Sequence, residues 1–391
     1  MSGYAAFKAV LRRELNRMIS RRLYWFVCVM LPLFCVFFMS TIFGSGQMEN
    51  IPVGVVDLDN TATSRQIIRN VEASPTLKIT AHYATAAEAR EATQRKEIYG
   101  YLIVPPKFEQ RVMMSNNATL NYYYHYALLS VGSEILNAFE SVLEPIALSP
   151  IVMQATSMGV EEQQTISFLV PVTAQSHPLN NPDLDYAVYL SNPFFFILLQ
   201  VLVLLVTTYT LGSEVKFKTY PAWFAAADDN IFIAVVAKLL PYTVIFSLMA
   251  VLANYVMFGL LHIPFACSMW ALNGAAVLFI IATQALGVWL FSLFPAMSII
   301  ISIISMVGSL GATLSGVTFP SASMYPVVHA ASYLLPVRHF VEINQNLLYG
   351  DYGFAYTWEH VAILFGYLLL ALTILPHLHR AIKSKKYEDI D

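Results

Sequence analysis

The feature that most constrains this chain is a run of 99 residues, Leu239 to Val337, without a single Asp, Glu, Lys or Arg. A water-soluble domain of this size would need charges on its solvated surface, because charged side chains are rarely buried. As one helix the run would extend about 150 Å, against about 30 Å for the hydrocarbon core of a bilayer. It must fold back on itself, with breaks near His262 to Pro264 and at Pro295. We therefore expect three apolar helices within a membrane.

The composition agrees with a membrane protein. Only 12% of the 391 residues are charged and the mean hydropathy is +0.58, whereas soluble proteins carry about 25% charged residues. The three cysteines, Cys28, Cys35 and Cys267, lie in or beside apolar runs without the spacing of metal ligands. We interpret them as small hydrophobic residues.

The N-terminal segment combines an amphipathic pattern with a first apolar run. In residues 4–22, apolar side chains recur at three- and four-residue spacing and the arginines fall largely elsewhere. This pattern predicts a helix lying on an anionic membrane surface. Leu23 to Ile42 then forms an uncharged run that is longer than the apolar core of a signal peptide, and it predicts an uncleaved membrane anchor.

Between the first and second apolar runs the composition becomes that of a soluble domain. Residues 51–185 hold 14 acids and 8 bases. Apolar strand-like segments alternate there with helix-like ones, which predicts a small α/β domain. A helical hairpin or stalk is expected over residues 128–170, and a connector follows from Pro171 to Asp185. The four predicted strands are Ile51–Val56, Leu77–Tyr83, Tyr99–Val104 and Leu120–Tyr126.

Basic residues flank the first and last runs, which places both termini in the cytoplasm by the positive-inside rule. Two cytoplasmic ends require an even number of spans. The predicted fold is a membrane all-α bundle of six transmembrane helices. It also has an amphipathic N-terminal helix on the cytoplasmic face, an inserted extracytoplasmic α/β domain and a re-entrant hairpin before the last span. The predicted segments are the N-terminal helix 1–22, spans 23–43, 186–211, 231–261, 270–294, 296–314 and 358–376, the extracytoplasmic domain 44–185, the cytoplasmic loop 212–230, the re-entrant segment 315–350 and the basic tail 377–391.

Motifs for ATP binding and hydrolytic chemistry are missing from the sequence. The dipeptide Gly-Lys does not occur, so a P-loop is excluded. We predict that the chain is not an enzyme and that it binds no cofactor directly. Ionisable residues inside spans are nearly absent, and Lys238 is interpreted as an interface anchor that reaches toward the headgroups. If the protein moves a substrate, the energy must come from a partner.

The segment between the fifth and sixth runs, SGVTFPSASMYPVVHAASYLLPVRHFVEINQNLLYGDYG, is too apolar for a free loop and too broken to span a membrane. It resembles the re-entrant hairpin of the membrane subunit of type-2 ABC exporters. The resemblance extends over the whole chain and is strongest to the subgroup with a large extracytoplasmic domain, similar to bacterial drug-efflux permeases. It implies a gate on the outer side formed by Gly316, Phe319, Pro320, Pro326, Pro336 and Arg338.

The loop 212–230 resembles the cytoplasmic loop of the same family, which carries the helix that docks onto the ATPase. Lys218 stands where the family usually has Gly, and Pro221 is unusual for it. Aromatic side chains often dominate such contacts. The resemblance implies that coupling to the ATPase uses Glu214, Lys216, Thr219, Trp223 and Phe224.

The resemblance also implies the function. Two copies, or this chain and a paralogue, would form a translocation path in the bacterial inner membrane, powered by a separate ABC ATPase subunit that uses the ATP. The partners would be that ATPase, the second permease subunit and the lipid bilayer, with a periplasmic adaptor and an outer-membrane channel on the far side and no nucleic acid. The uncharged path suggests a hydrophobic or amphipathic substrate.

Two other functions fit parts of the sequence. A membrane receptor or mechanical transducer would sense a ligand through the extracytoplasmic domain, although the cytoplasmic segments are too short to hold a signalling domain. An interfacial membrane enzyme would need convergent ionisable groups, and Arg338, His339 and Glu342 lie close together in the sequence. Their helical spacing in an apolar segment is also that of a plain amphipathic helix.

Overall fold

The computed structural model of the chain describes residues 3–42, 48–114, 118–157, 187–350 and 353–384. The chain divides into two compact units. One unit combines Met1–Gly46 with Leu179–Asp391 and contains the long apolar helices. The other, Gln47–Pro178, contains a small sheet.

Within the described residues, six helices of the first unit are long and apolar enough to cross a membrane, as the sequence predicted. A separate helix, α1 (Gly3–Ser20), precedes the first of them. Three shorter helices lie between spans: α8 (Tyr220–Ala226), α12 (Pro326–Ser332) and α13 (Pro336–Tyr349). The spans are α2 (Arg22–Ile42), α7 (Tyr189–Lys216), α9 (Ile231–Leu260), α10 (Met269–Leu293), α11 (Met297–Leu314) and α14 (Trp358–Lys383).

The ends of the spans follow local chemistry. At the start of α9 the Asn230 side chain accepts hydrogen bonds from the N–H groups of Phe232 and Ile233, at 3.0 and 3.2 Å, which satisfies donors that have no partner within the helix. Its end at Leu260 is followed by His262 with a φ of 53°, a left-handed conformation that a helix cannot continue through. The break after α9 lies where the sequence predicted it, near His262 to Pro264.

Helix α10 is central to this unit and packs against α7, α9, α13 and α14. A cluster of three buried rings joins three of these helices: Phe196 of α7, Phe279 of α10 and Phe340 of α13. The ring centroid of Phe340 lies 4.3 Å from that of Phe196 and 4.6 Å from that of Phe279. Helix α13 is therefore packed against the spans rather than extended away from them.

The second unit is built on a four-stranded sheet in the order β2–β1–β3–β4. Strand β1 is parallel to both β2 and β3, and β4 is antiparallel to β3. All four predicted strands are confirmed, with ends that differ by one or two residues. The strands are β1 (Ile51–Asp57), β2 (Leu77–His82), β3 (Gly100–Val104) and β4 (Asn121–Tyr124), and the helices are α3 (Ala62–Glu72), α4 (Ala86–Gln94), α5 (Phe108–Met113) and α6 (Leu129–Ser157).

The predicted hairpin or stalk is a continuous helix as far as it is described. Helix α6 runs unbroken from Leu129 to Ser157, and its Ile135 and Phe139 enter the core beneath the sheet. Residues 158–170 of that prediction and the connector from Pro171 to Asp185 lie outside the described residues.

Candidate functional site

A buried carboxylate, Glu214, is the centre of an ion network in the membrane unit. It lies in the last turn of α7 and its side chain is 0% exposed. Arg13 of α1 donates two parallel hydrogen bonds to its two oxygens, at 2.7 and 2.8 Å, and Arg17 donates one at 2.6 Å. Thr219 donates a further bond of 2.5 Å from the turn after α7. Bidentate and charge-assisted bonds of this kind are among the strongest in proteins.

Lys238 extends the network into α9. Its side chain is also 0% exposed, and its Nζ lies 2.7 Å from Glu214 Oε1 and 2.5 Å from Glu14 Oε2. One turn further along α9, the hydroxyl of Tyr242 donates to Glu14 Oε1 at 2.8 Å. The prediction that Lys238 is an interface anchor is therefore wrong. Its ammonium group is held inside the protein by two carboxylates, so it has no need to reach the headgroups.

The spacing of residues on the helices brings this network together. On α1 the buried face repeats every four residues, with Ala6, Val10 and Met18 apolar and Glu14 among them. Arg13 and Arg17 are four residues apart and so project side by side. The sequence predicted that the arginines fall mainly away from the packed face. These two instead turn toward the spans, because Glu214 and Ser213 provide partners there.

The short helix α8 covers one side of the network. Trp223 is 0% exposed, its Nε1 donates to the carbonyl oxygen of Ala234 at 3.1 Å, and Lys238 Nζ lies 5.3 Å from its ring centroid. Phe224 is buried and makes an edge contact with the ring of His379 near the end of α14, with centroids 4.8 Å apart. Both rings that were predicted to anchor a partner face inward in this chain.

The five predicted coupling residues therefore take different positions. Glu214 and Thr219 belong to the ion network, Trp223 and Phe224 pack beside it, and Lys216 is exposed. Their role in coupling stays a prediction. Several other members of the network were not predicted from the sequence, although one signal is present there: Glu14 interrupts an apolar stripe. The missed residues are Arg13, Glu14, Arg17, Lys238 and Tyr242.

The backbone on either side of α8 is left-handed. Lys218 precedes the helix with a φ of 55°, and Asp228 and Asp229 follow it with φ values of 55° and 59°. Lys218 stands at the position where the family that the sequence resembles usually has Gly. Its left-handed conformation is one that Gly adopts without strain. The backbone before α8 therefore adopts a left-handed turn although the residue there is Lys.

A second group of polar contacts fastens α13 to the spans. The backbone N–H of Val337, in the first turn of α13, donates to Gln200 Oε1 of α7 at 2.9 Å. Near the other end of α13, the side chain of Asn344 donates to Asn192 Oδ1 at the start of the same span. Gln200 follows Asn192 by eight residues, about 12 Å along a helix. Helix α13 therefore runs antiparallel beside α7.

Asparagines extend this contact to two further spans. Asn192 donates to Asn254 Oδ1 of α9 at 2.9 Å, and Asn254 donates to Asn273 Oδ1 of α10 at 2.8 Å. Asn192, Asn254 and Asn344 are buried. Side-chain amides that bond across helices stabilise helix packing inside membranes. Together these groups join α13 to three spans.

Two histidines join α13 to α14. His339 Nε2 lies 3.0 Å from the Tyr333 carbonyl oxygen, so this nitrogen carries the proton. In the neutral ring, His339 Nδ1, 2.9 Å from His360 Nδ1, accepts the hydrogen bond that His360 donates. Next to them, Arg338 pairs with Glu342 at 3.2 Å along the same helix. Glu342 also accepts a hydrogen bond from the Ser321 hydroxyl at 3.2 Å, so these groups bond to side chains and backbone around them, as in a packed amphipathic helix.

The predicted gate residues are divided between surface and interior. Phe319, Pro320 and Pro326 are exposed, whereas Pro336 and Arg338 are buried. Gly316 has a φ of 91°, and a Cβ there would lie 3.2 Å from Arg338 Nη1. Within the described part of the chain, no group of three or more His, Cys, Asp or Glu residues could hold a metal ion. The gating role stays a prediction.

Within the described residues, six helices that are long and apolar enough to cross a membrane indicate a multi-pass membrane protein, and a buried ion network joins two of them. The family model described as "ABC-2 family transporter protein" matches residues 22–375, so the chain belongs to this family. The chain is also similar to a protein named "Probable multidrug ABC transporter permease YbhS" of Escherichia coli K12. The two are 22% identical over 353 residues, which cover 87% of each chain. The same-named protein of E. coli O157:H7 matches equally.

Proposed function

We propose that the chain is the transmembrane subunit of an ATP-driven ABC exporter, which pairs with a second permease and moves a hydrophobic or amphipathic substrate. Membership of the ABC-2 family supports an ABC ATPase as the source of energy. The similar E. coli protein is named a probable multidrug permease, which suggests an exported substrate of this kind. In this proposal both termini are cytoplasmic, the sheet unit lies outside, and the membrane is the bacterial inner membrane.

The buried ion network is the observation that supports a mechanical role. Glu214 bonds to α1, to the turn before α8 and to Lys238 of α9. A push on α8 from the ATPase would then reach α1 and two spans together. Separating these charges would leave them buried without partners, at a cost of about 3–5 kcal/mol. The network thus lets the helices move as one body instead of slipping past each other.

In this proposal the ATPase contacts the exposed side of the loop that contains α8. Trp223 and Phe224 face inward, and the exposed side of the loop includes Lys216, Phe217, Pro221, Ala222 and Ala225. Phe217 is 53% exposed, and an exposed aromatic ring is a suitable anchor for a docked protein. We assign Phe217 the docking role that the sequence analysis gave to Trp223.

Helix α13 and the segment before it form the outer gate in this proposal. The pairing of Val337 with Gln200 supports a start of α13 deep beside α7, and the pairing of Asn344 with Asn192 supports a return toward the span end. These two pairings support the proposal that α13 belongs to a re-entrant hairpin. Its polar backbone tolerates membrane depth because protein groups satisfy it.

Co-purification and reconstitution test the proposal. The affinity-tagged full chain, isolated from its native membrane, should carry an ABC ATPase subunit. In proteoliposomes the complex should hydrolyse ATP faster in the presence of an amphipathic dye such as Hoechst 33342, and should export it. Phe217→Ala should reduce the amount of bound ATPase, whereas Phe354→Ala, a similarly exposed ring in the 315–357 segment, should not. A chain that carries no ATPase and shows no stimulated hydrolysis when one is added would contradict the proposal.

A further inference from the structure

A cleft of about 790 Å³ lies in the sheet unit, where β1 and β2 end beside α3. Basic side chains line part of it: Arg65 and Arg69 of α3 and His82 at the end of β2. Apolar and aromatic side chains line another part: Leu58, Ile68 and Tyr83. Neither the ABC-2 family fold of the spans nor the transport proposal uses these residues.

The cleft lies at the carboxyl ends of two neighbouring strands. Strands β1 and β2 are parallel, so the residues that follow them come together at one edge of the sheet. The volume falls within the roughly 300–1,000 Å³ of small-molecule sites. Leu58 is 44% exposed here, so its side chain is accessible to the apolar part of a ligand.

The wall of the cleft next to β1 is held rigid by the turn after this strand. Asp57 Oδ1 accepts the N–H groups of Asp59 and Asn60, both at 3.0 Å, and its Oδ2 accepts the hydroxyl of Ser64 at 2.7 Å. Thr61 and Ser64 cap the start of α3 reciprocally. The one carboxylate of the cleft is therefore already bonded to the chain, and its charge is spread over three donors.

The guanidinium groups keep donors for a ligand. Arg65 donates one hydrogen bond to the Asn60 carbonyl oxygen at 3.0 Å, and Arg69 donates one to Gln66 Oε1. A guanidinium has five N–H donors in a fixed fork that suits carboxylate and phosphate oxygens. The cleft has a positive character. Its two arginines are one helical turn apart, and its single carboxylate is already bonded to the chain.

We propose that this cleft binds an amphipathic organic anion, a carboxylate or phosphate ester that carries an apolar or aromatic body. The anionic group bonds to Arg65 and Arg69, and the body packs over Leu58, Ile68 and Tyr83. The site is a binding site only, and no bond forms or breaks in it. The proposal concerns the sheet unit and holds whether or not the chain is an exporter subunit.

Calorimetric titration of the full chain in lipid nanodiscs tests the proposal with three probes. Phenyl phosphate carries both the anion and the ring, inorganic phosphate carries the anion alone, and benzyl alcohol carries the ring alone. We expect phenyl phosphate to bind more tightly than inorganic phosphate and benzyl alcohol not to bind. Equal binding of phenyl phosphate and benzyl alcohol, or no binding of phenyl phosphate, would overturn the proposal.

Two variants locate the binding. Arg65→Ala/Arg69→Ala should weaken phenyl phosphate about tenfold or more, because charge-assisted hydrogen bonds are lost. Arg95→Ala/Arg111→Ala removes the same number of exposed arginines outside the cleft and should leave the affinity unchanged. If both pairs weaken binding equally, the attraction is a general charge effect and the assigned site is wrong.

A third variant keeps the arginines and changes the apolar wall. Leu58→Asp places a negative charge beside the proposed anion, at a position exposed enough to accept a polar side chain. It should weaken phenyl phosphate as strongly as the arginine pair, with an unchanged melting temperature. Full binding by this variant would contradict the proposal even if the arginine variants failed to fold.

Discussion

At the scale of single residues, Lys238 links the charges of the buried network in the membrane unit. Its ammonium group is fully buried between Glu14 and Glu214. A buried ion pair adds little stability over an apolar replacement of all its members, but breaking it by removing one member is costly. The network thus penalises separation of its helices more than it strengthens their packing.

We predict that Lys238→Met lowers the stability of the full chain by about 3–5 kcal/mol, because Glu14 and Glu214 lose their shared cation. Combining it with Glu14→Gln should cost less than the sum of the two single changes, since one unpaired charge is then removed. Unfolding titrations in detergent micelles measure both. Lys216→Met, at an exposed position next to the network, is the control and should change little. Strictly additive losses would mean that the two residues do not interact.

The left-handed backbone at Lys218 gives a second prediction. Lys218→Gly should be more stable than Lys218→Val by about 1–2 kcal/mol, because the φ of 55° suits glycine and disfavours a β-branched residue. Both variants lose the same side-chain contacts, so their difference isolates the backbone. Thermal melting of the two purified proteins compares them. Equal melting temperatures would show that the turn before α8 relaxes to another conformation.

At the scale of elements, close packing between α7 and α11 depends on glycine. A Cβ at Gly308 would lie 2.9 Å from Val201 Cγ2 of α7, closer than real Cβ atoms approach other atoms. Small residues allow such approach between membrane helices. Gly308 lies within the predicted span 296–314. In the structure α11 continues through it to Leu314, and the glycine serves the contact.

We therefore expect Gly308→Ala to destabilise the bundle by about 1–3 kcal/mol through overpacking. Gly274→Ala in α10 is the matched control, because a Cβ there meets no atom within 4 Å. This control should be neutral or stabilising, since alanine favours helix more than glycine does. Adding Val201→Ala to Gly308→Ala should restore stability, as monitored by thermal melting in nanodiscs. Failure of this rescue would place the clash elsewhere.

Helix α1 illustrates which parts of an element can be predicted. Its existence and its apolar stripe follow from three- and four-residue spacing, which is a local property. The direction of its arginines does not, because Arg13 and Arg17 turn toward Glu214, which is about 200 positions away in the chain. A local pattern cannot specify a partner that distant.

At the scale of the whole molecule, the proposed topology follows from the basic residues that flank the first and last spans. We predict that a membrane-impermeant maleimide labels Met113→Cys, in the sheet unit, on intact spheroplasts. Tyr4→Cys of α1 and Lys216→Cys of α7 should be labelled only after permeabilisation. All three positions are exposed.

The background for this labelling has Cys28, Cys35 and Cys267 replaced by alanine, so that each reagent reports one position. A position that reacts on both sides would indicate a leaky preparation, and a pattern opposite to the predicted one would invert the topology. The result also decides whether the anion-binding cleft faces the outside.

The membrane character of the chain and its inserted sheet unit could be predicted from the sequence. Six apolar runs, an inserted α/β segment and its four strands follow from hydropathy and periodicity, because the bilayer and the pleat of a strand impose their spacing on neighbouring residues. The tertiary structure was needed to show that Lys238 and Glu214 share a buried network with α1, and that Trp223 faces inward. Tertiary packing decides which side of a helix faces the interior and whether a buried charge there has a partner. No local sequence pattern encodes that packing. The uncharged run beginning at Leu239 thus starts beside the most strongly charged interior of the described membrane unit.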